Sequence, residues 1–173
     1  MRRGGPEPPP GSVSRLRAVA REYQAEKVIP RCGGCRRPCC RLESLVIELD
    51  WPRLRALWGI EEAREAFDRR LARGEGPPEI RAEGGMYYAH GSVCPAFRDG
   101  RCAVYDTPAK PPGCTDFPVY EDQGRLVADL RCEAVEPDEV EARLLAAFPP
   151  PARLRRRPDR RFPFLVRWTV RGQ

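Results

Sequence analysis

Residues 31–40 read RCGGCRRPCC and residues 94–118 read CPAFRDGRCAVYDTPAKPPGCTDFP, and together they hold seven of the eight cysteines in the chain. Gly33, Gly34 and Pro38 break any regular helix or strand in the first stretch, so something other than element packing must set its shape. Two thiolates separated by two residues can wrap around one metal ion through a tight turn. The spacing therefore predicts a metal centre that organises the fold.

All eight cysteines are candidate metal ligands: Cys32, Cys35, Cys39, Cys40, Cys94, Cys102, Cys114 and Cys132. Zinc takes four ligands in a tetrahedron, and an iron–sulfur cluster also takes four thiolates. Eight thiolates suffice for two such centres, and ligand sharing stays open. Sulfur ligation favours zinc or iron over magnesium and calcium. The predicted cofactor is therefore Zn²⁺ or iron, the latter as an Fe–S cluster, with the choice open.

Roles other than metal binding are open to some of the cysteines and to the histidine. A buried core thiol suits Cys132, which follows a predicted strand, but not cysteines that stand among Arg, Gly and Pro. A thioredoxin-like role for CGGC needs a strand-to-helix junction, which Pro30 and the following RRPCC do not provide. His90, the only histidine, is a metal ligand, a ligand-orienting group or a surface residue. No nucleophile–base pair is visible, so no catalytic residue is predicted and the question of enzymatic activity stays open.

Composition limits the class of protein. The chain has 173 residues, of which 41% are hydrophobic and 32% charged, a length and composition that suit one globular domain. No segment approaches the roughly 20 apolar residues of a membrane-spanning helix, and no apolar stretch follows Arg2 and Arg3 to form a secretory signal. We therefore expect no membrane association and a cytoplasmic location, where cysteines stay reduced.

The element pattern predicts an α+β domain of short helices and short strands. Three regions are expected: a disordered leader over residues 1–12, the cysteine-cluster domain over 13–148, and a Pro/Arg-rich basic tail over 149–173. The predicted helices are Ser14–Lys27, a helix from Trp51 to about Gly59 capped by Asp50, Glu61–Arg73 and Asp138–Phe148. The predicted core face of the last helix consists of Val140, Leu144, Leu145 and Phe148. The predicted strands are Ser44–Leu49, Met86–Ala89, Cys102–Tyr105, and a hairpin of Phe117–Tyr120 with Arg125–Leu130.

Positive charge is concentrated near the C-terminal end of the sequence. The net charge of the chain is +6, and residues 151–173 contain eight Arg and one Asp, so residues 1–150 are close to neutral. A run of this kind is usually a solvated arm, so nucleic-acid binding through the basic tail is kept only as a less favoured alternative. Within it, Phe162–Val170 is expected to be an added edge strand or a partner-binding segment.

The second cysteine stretch resembles the YkgJ-type cysteine-cluster family, which is described as zinc- or iron-chelating and named for a C-x-x-C-x-x-C-C signature. The positions that follow the family pattern are Cys94, Pro95, Gly100, Cys102, Tyr105, Pro111, Cys114, Phe117 and Pro118. This sequence departs from the pattern in having three residues between Cys35 and Cys39, where two are usual, and Lys110 in place of Arg. The resemblance covers about Cys32–Cys132 and implies a metal site.

Three functions follow from these observations. The first is a metal-binding module that acts through a protein partner. The second is an accessory or catalytic component of a redox or protein-modification enzyme, since similar cysteine regions accompany flagellin lysine methylation enzymes. The third is a nucleic-acid-binding protein with structural zinc and a basic tail. The first is favoured because the sequence contains metal ligands and no visible catalytic pair.

Overall fold

The computed structural model describes residues 11–41, 45–105 and 107–172. Residue contacts divide the chain into two compact units. We call the described residues up to Cys32, together with those from Asp116 onward, the terminal unit, and Gly33–Thr115 the central unit. Both contain short helices and antiparallel sheets, which confirms the predicted α+β class.

The terminal unit is a four-stranded antiparallel sheet with helices α1 (Ser12–Tyr23), α2 (Ile29–Cys32) and α6 (Pro137–Ala147). Helix α1 continues through a π-helical turn (Gln24–Val28) into the short helix α2. The strands β6 (Val119–Asp122), β7 (Arg125–Asp129), β8 (Arg153–Pro158) and β9 (Leu165–Arg171) lie in the order β6-β7-β9-β8. Helix α6 lies between β7 and β8 in the chain.

One face of α1 enters the core of the terminal unit. Leu16, Val19, Ala20 and Tyr23 are buried, and their spacing of three and four residues places them on a single helix face. Helix α1 begins at Ser12, which is 2% exposed, so residue 12 belongs to a helix and not to the predicted disordered leader, of which residues 1–10 lie outside the described residues. On α6, Val140 and Leu144 are buried as predicted, whereas Leu145 is 53% exposed and lies outside the core.

The residues predicted as a basic tail form strands β8 and β9 of this sheet. In β9, Val166, Trp168 and Val170 are buried and alternate with more exposed residues, the pattern of a strand with one face on a core. Phe162–Val170 was predicted to be an edge strand or a partner-binding segment. Most of it is indeed a strand, β9, but β9 lies inside the sheet and β8 forms the edge. The arginine-rich composition of β8 did not indicate a strand, because β8 is exposed at five of its six positions and lacks an alternation of apolar residues.

The central unit has its own hydrophobic core. Strands β1 (Ile47–Leu49), β2 (Ile80–Glu83) and β3 (Met86–Ala89) form a sheet in the order β1-β3-β2. Helices α3 (Trp51–Trp58) and α4 (Arg64–Ala72) follow β1, and a small hairpin of β4 (Phe97–Arg98) and β5 (Arg101–Cys102) precedes the short helix α5 (Pro112–Asp116). Leu49, Leu54 and Phe67 are fully buried in this core.

Helix α3 begins and ends as its sequence predicts. The Asp50 carboxylate accepts a hydrogen bond from the Arg53 backbone N–H at 2.9 Å, which satisfies an amide that has no partner within the helix. Gly59 follows the helix at φ 62°, a left-handed conformation that glycine adopts without steric cost. Ser44, the predicted start of the first strand, lies outside the described residues.

Across residues 11–41, 45–105 and 107–172, no helix has the length and apolar character needed to cross a lipid bilayer.

Candidate metal centre

Five cysteines of the central unit lie close enough for their charges to interact. They come from three separated parts of its sequence: a 3₁₀ turn (Cys39–Arg41), the region of the β4–β5 hairpin, and helix α5. The five are Cys39, Cys40, Cys94, Cys102 and Cys114. The fold therefore brings Cys39 and Cys40 of the first stretch together with the cysteines of the second stretch inside one unit, although more than 50 residues separate Cys40 from Cys94 in the sequence.

Backbone hydrogen bonds position three of these cysteines. The Cys94 N–H donates to the Cys40 carbonyl at 2.7 Å, and the Phe97 N–H donates to the Cys94 carbonyl at 2.9 Å. Phe97 in turn pairs with Cys102 across the β4–β5 hairpin. At the turn of the hairpin, Gly100 has a φ of 75°, which glycine permits. Cys40, Cys94 and Cys102 are thus connected through the main chain.

Helix α5 adds Cys114 to this group. The Cys114 N–H donates to the Pro111 carbonyl at 3.0 Å, and Cys114 packs against the core of the central unit together with Cys40. Burial raises the pKa of Cys114 to about 12, and negative charge on Cys39, Cys94 and Cys102 acts in the same direction. A thiol in this position keeps its proton unless a cation compensates the thiolate.

Cys39 and Cys40 have opposite tendencies to ionise. The Cys40 thiol donates a hydrogen bond to Cys39, which lowers the pKa of Cys39 to about 7. The same hydrogen bond raises the pKa of Cys40 above its ordinary value, and burial adds to the effect. Burial likewise raises the pKa of Cys94, with further contributions from Cys102 and Cys39. The pair therefore favours one thiolate, at Cys39, beside a protonated neighbour.

Lys110 supplies positive charge near these thiols. Its charge lowers the pKa of both Cys39 and Cys114, and its ammonium lies 3.5 Å from the centre of the Tyr105 ring. From the sequence, Lys110 is only the residue that stands where the resembling family has Arg. Its electrostatic effect on thiols from two other segments depends on the tertiary fold and has no local sequence signal.

The thiols are not arranged as a ready set of metal ligands. All eight cysteines are free of disulfide bonds. Within the part of the chain that the structure describes, no group of three or more His, Cys, Asp or Glu side chains has an arrangement that could hold a metal ion. The donor chemistry nevertheless suits a thiophilic metal, because several thiols crowd together and sulfur ligands favour zinc or iron over magnesium and calcium.

The other candidate ligands lie elsewhere. Cys32 and Cys132 belong to the terminal unit, where the Cys32 thiol donates to the Val28 carbonyl at 3.3 Å and Cys132 packs against the core. Cys35 is half-buried in the central unit. His90 directly follows β3, and its backbone N–H donates to the Glu79 carbonyl at 3.1 Å.

One of the arginines near the first cysteines has another partner. From the sequence, the arginines of this loop are either donors to cysteine sulfur or solvated side chains; they are Arg31, Arg36, Arg37 and Arg41. The Arg31 guanidinium instead lies 3.2 Å from the Glu136 carboxylate within the terminal unit. A carboxylate is a stronger acceptor than a thiol, which accounts for the difference.

Comparison of the chain with protein-family models, with curated proteins and with solved structures finds no match in any of the three. The function of the centre therefore has to be inferred from the residues themselves.

Proposed function

We propose that this protein binds a thiophilic metal, zinc or iron, through cysteine thiolates of its central unit. The ligands are drawn from Cys39, Cys40, Cys94, Cys102 and Cys114. A centre of this kind needs four thiolates, so the five cysteines are sufficient without Cys32 or Cys132. Metal binding would contribute to the stability of the central unit, because a site built from distant segments does not persist in the unfolded chain.

The observation that carries this proposal is the electrostatic coupling of five free thiols from three separated segments. Thiols that ionise poorly, as Cys40, Cys94 and Cys114 do, become thiolates when a cation compensates their charge. The similarity of residues 94–118 to the YkgJ-type pattern supports the same chemistry. Since the side chains do not already form a ligand set, binding is expected to require their rotation about χ1.

A bound metal has a limited set of roles here. With four thiolate ligands it would be closed to substrate and would hold the three segments together. An iron–sulfur cluster in the same place would supply one-electron chemistry. Lys110 would offset part of the negative charge of the thiolates in either case.

The first test is elemental analysis and an absorption spectrum of the full chain purified without air. We expect about one metal ion or one cluster per chain. Zinc without colour would indicate a structural centre, whereas brown protein with iron and labile sulfide would indicate a cluster. Protein that contains neither metal, and that binds neither on reconstitution, would contradict the proposal.

Matched cysteine variants locate the centre. Cys102→Ser and Cys114→Ser are expected to lose most of the metal, while Cys132→Ser, which changes a cysteine of the terminal unit, is expected to retain it. If a variant does not fold, alkylation of the unmodified protein gives the same information. Metal should protect Cys102 and Cys114 from iodoacetamide, and a chelator should expose them. Equal metal content in all three variants, with unprotected thiols, would exclude this ligand set.

A further inference from the structure

The sheet of the terminal unit carries a row of arginines on the face opposite its core. In β9, Val166, Trp168 and Val170 pack in the core. Successive strand residues point to opposite faces, so Arg167, Thr169 and Arg171 lie on the other face. This outer face can therefore be traced through the register of the neighbouring strands.

The register places six arginines on this face. In β8, Arg153 is opposite Arg171, Arg155 is opposite Thr169, and Arg157 is opposite Arg167. In β7, Arg125 is opposite Thr169 on the other side of β9. We call the following set the basic face: Arg125, Arg153, Arg155, Arg157, Arg167 and Arg171.

The acidic groups on the same side of the sheet are already paired. Asp122 and Asp159 both bind Arg167, at 3.0 Å and 2.7 Å, and Asp129 binds Arg131 at 2.5 Å. The remaining five arginines of the basic face are exposed, and none of them forms an ion pair with another residue that the structure describes. With its six arginines and the two carboxylates that share Arg167, the face carries a net charge of +4.

Arg156 lies on the same strand as three arginines of the basic face but on the opposite side of the sheet. It points to the core side, where its guanidinium lies 5.8 Å from the centre of the Trp168 ring and binds Asp138 at 2.5 Å. The alternation of β8 thus separates Arg156, which has ion-pair partners, from three arginines that have none among the residues the structure describes. Within a run that reads RLRRRP, only the strand geometry distinguishes them.

We propose that the basic face binds the phosphate backbone of a single-stranded nucleic acid. Guanidinium groups bind phosphate through two parallel hydrogen bonds. A nucleic acid strand carries one phosphate per nucleotide, so it matches repeated arginines without a particular sequence. The exposed face of a sheet offers no projecting helix or ribbon to enter a duplex groove, whereas a flexible single strand can follow the rows of arginines.

Fluorescence anisotropy with a labelled oligouridylate of about 15 nucleotides tests this inference on the full chain in its as-purified state. Five phosphate contacts predict that log K falls against log salt with a slope of about −3.5. An RNA duplex of the same length is expected to bind more weakly. Polyglutamate is the competitor that represents an acidic protein partner, and it is expected to compete poorly.

Two sets of substitutions and a charge-matched control make the test specific to the basic face. Arg153→Gln/Arg155→Gln/Arg157→Gln removes three contacts, which predicts about 100-fold weaker binding near 0.1 M salt and a slope of about −1.4. Arg125→Gln/Arg171→Gln, on the other strands, predicts about 25-fold weaker binding. The control Arg21→Gln/Arg69→Gln/Arg81→Gln removes the same charge from exposed positions elsewhere and is expected to weaken binding less than about 3-fold.

Several results would overturn the inference. These are no binding by the unmodified chain at low salt, equal losses in the control and the β8 variant, or tighter binding of the duplex. Binding of polyglutamate but not of RNA would assign the basic face to an acidic protein instead. None of these results bears on the metal content of the central unit, so the two proposals fail independently.

Discussion

Tyr23 is a single residue that ties the helix α1 to the loop before α6. Its buried hydroxyl donates to the Ala134 carbonyl at 2.8 Å and accepts from the Glu136 N–H at 2.8 Å. Burial raises the pKa of this phenol above its ordinary value. One side chain thereby satisfies two backbone groups more than 100 residues away in the sequence.

Tyr23→Phe is expected to destabilise the terminal unit by about 1–3 kcal/mol, because a buried carbonyl and a backbone N–H lose their partner while the ring volume stays the same. Urea unfolding followed by circular dichroism measures the change. Tyr88→Phe, at a half-exposed position of β3, is the control and should change stability by less than about 0.5 kcal/mol. Equal stability of the two variants would show that the Tyr23 hydroxyl contributes nothing.

At the scale of elements, β9 is the strand on which the sheet of the terminal unit depends. It pairs with β7 on one side and β8 on the other. Trp168 is fully buried, and its indole N–H donates to the Glu141 carboxylate at 3.0 Å. Residues that look like a charged tail in composition therefore supply the largest side chain of this core.

Trp168→Ala is expected to cost about 3–5 kcal/mol, since it leaves a large cavity and removes the indole hydrogen bond. Arg155→Ala lies on the neighbouring strand but on the exposed face and should cost less than about 0.5 kcal/mol. The free energies of unfolding of both variants, measured in the same buffer, make the comparison. A Trp168→Ala protein as stable as the unmodified chain would mean that the Trp168 side chain contributes little to this core.

At the scale of the whole molecule, two hydrophobic cores share no residue, and five interacting thiols belong to only one of the units.

Without metal, the thiols are a source of pH dependence. Burial raises the pKa of Cys114 from 9.0 to about 12, so the folded chain keeps a proton that the unfolded chain releases above pH 9. Stability from this group is present below the unfolded pKa and is lost as pH rises toward the folded pKa.

Metal-free protein is therefore expected to lose stability in the central unit between about pH 8 and pH 11, on the order of 2 kcal/mol from Cys114. Hydrogen exchange of residues 47–60, read by mass spectrometry, reports on this unit. Cys114→Ala should show a smaller alkaline loss than the unmodified chain, which also separates the effect from tyrosine ionisation. Identical alkaline losses in the two proteins would assign the effect to other groups.

The pattern of short elements was readable from the sequence where local rules decide it. Asp50 marks the start of α3 through a side-chain cap, and Gly59 marks its end through a left-handed conformation. Both signals act within a few residues. Met86–Ala89 and the hairpin around Gly124 were predictable for the same reason, since alternation and turn residues are local signals. Leu145 was assigned to the core wrongly because helical periodicity alone does not say where a packing face ends.

The sequence by itself determined the α+β class and the clustering of cysteines along the chain, because composition, period and residue type are local properties. Only the tertiary structure decided which thiols interact, that Lys110 acts on them, and that residues 153–171 complete a sheet with arginines on one face. These depend on strand pairing and on contacts between residues far apart in the chain, and no local rule encodes such long-range packing.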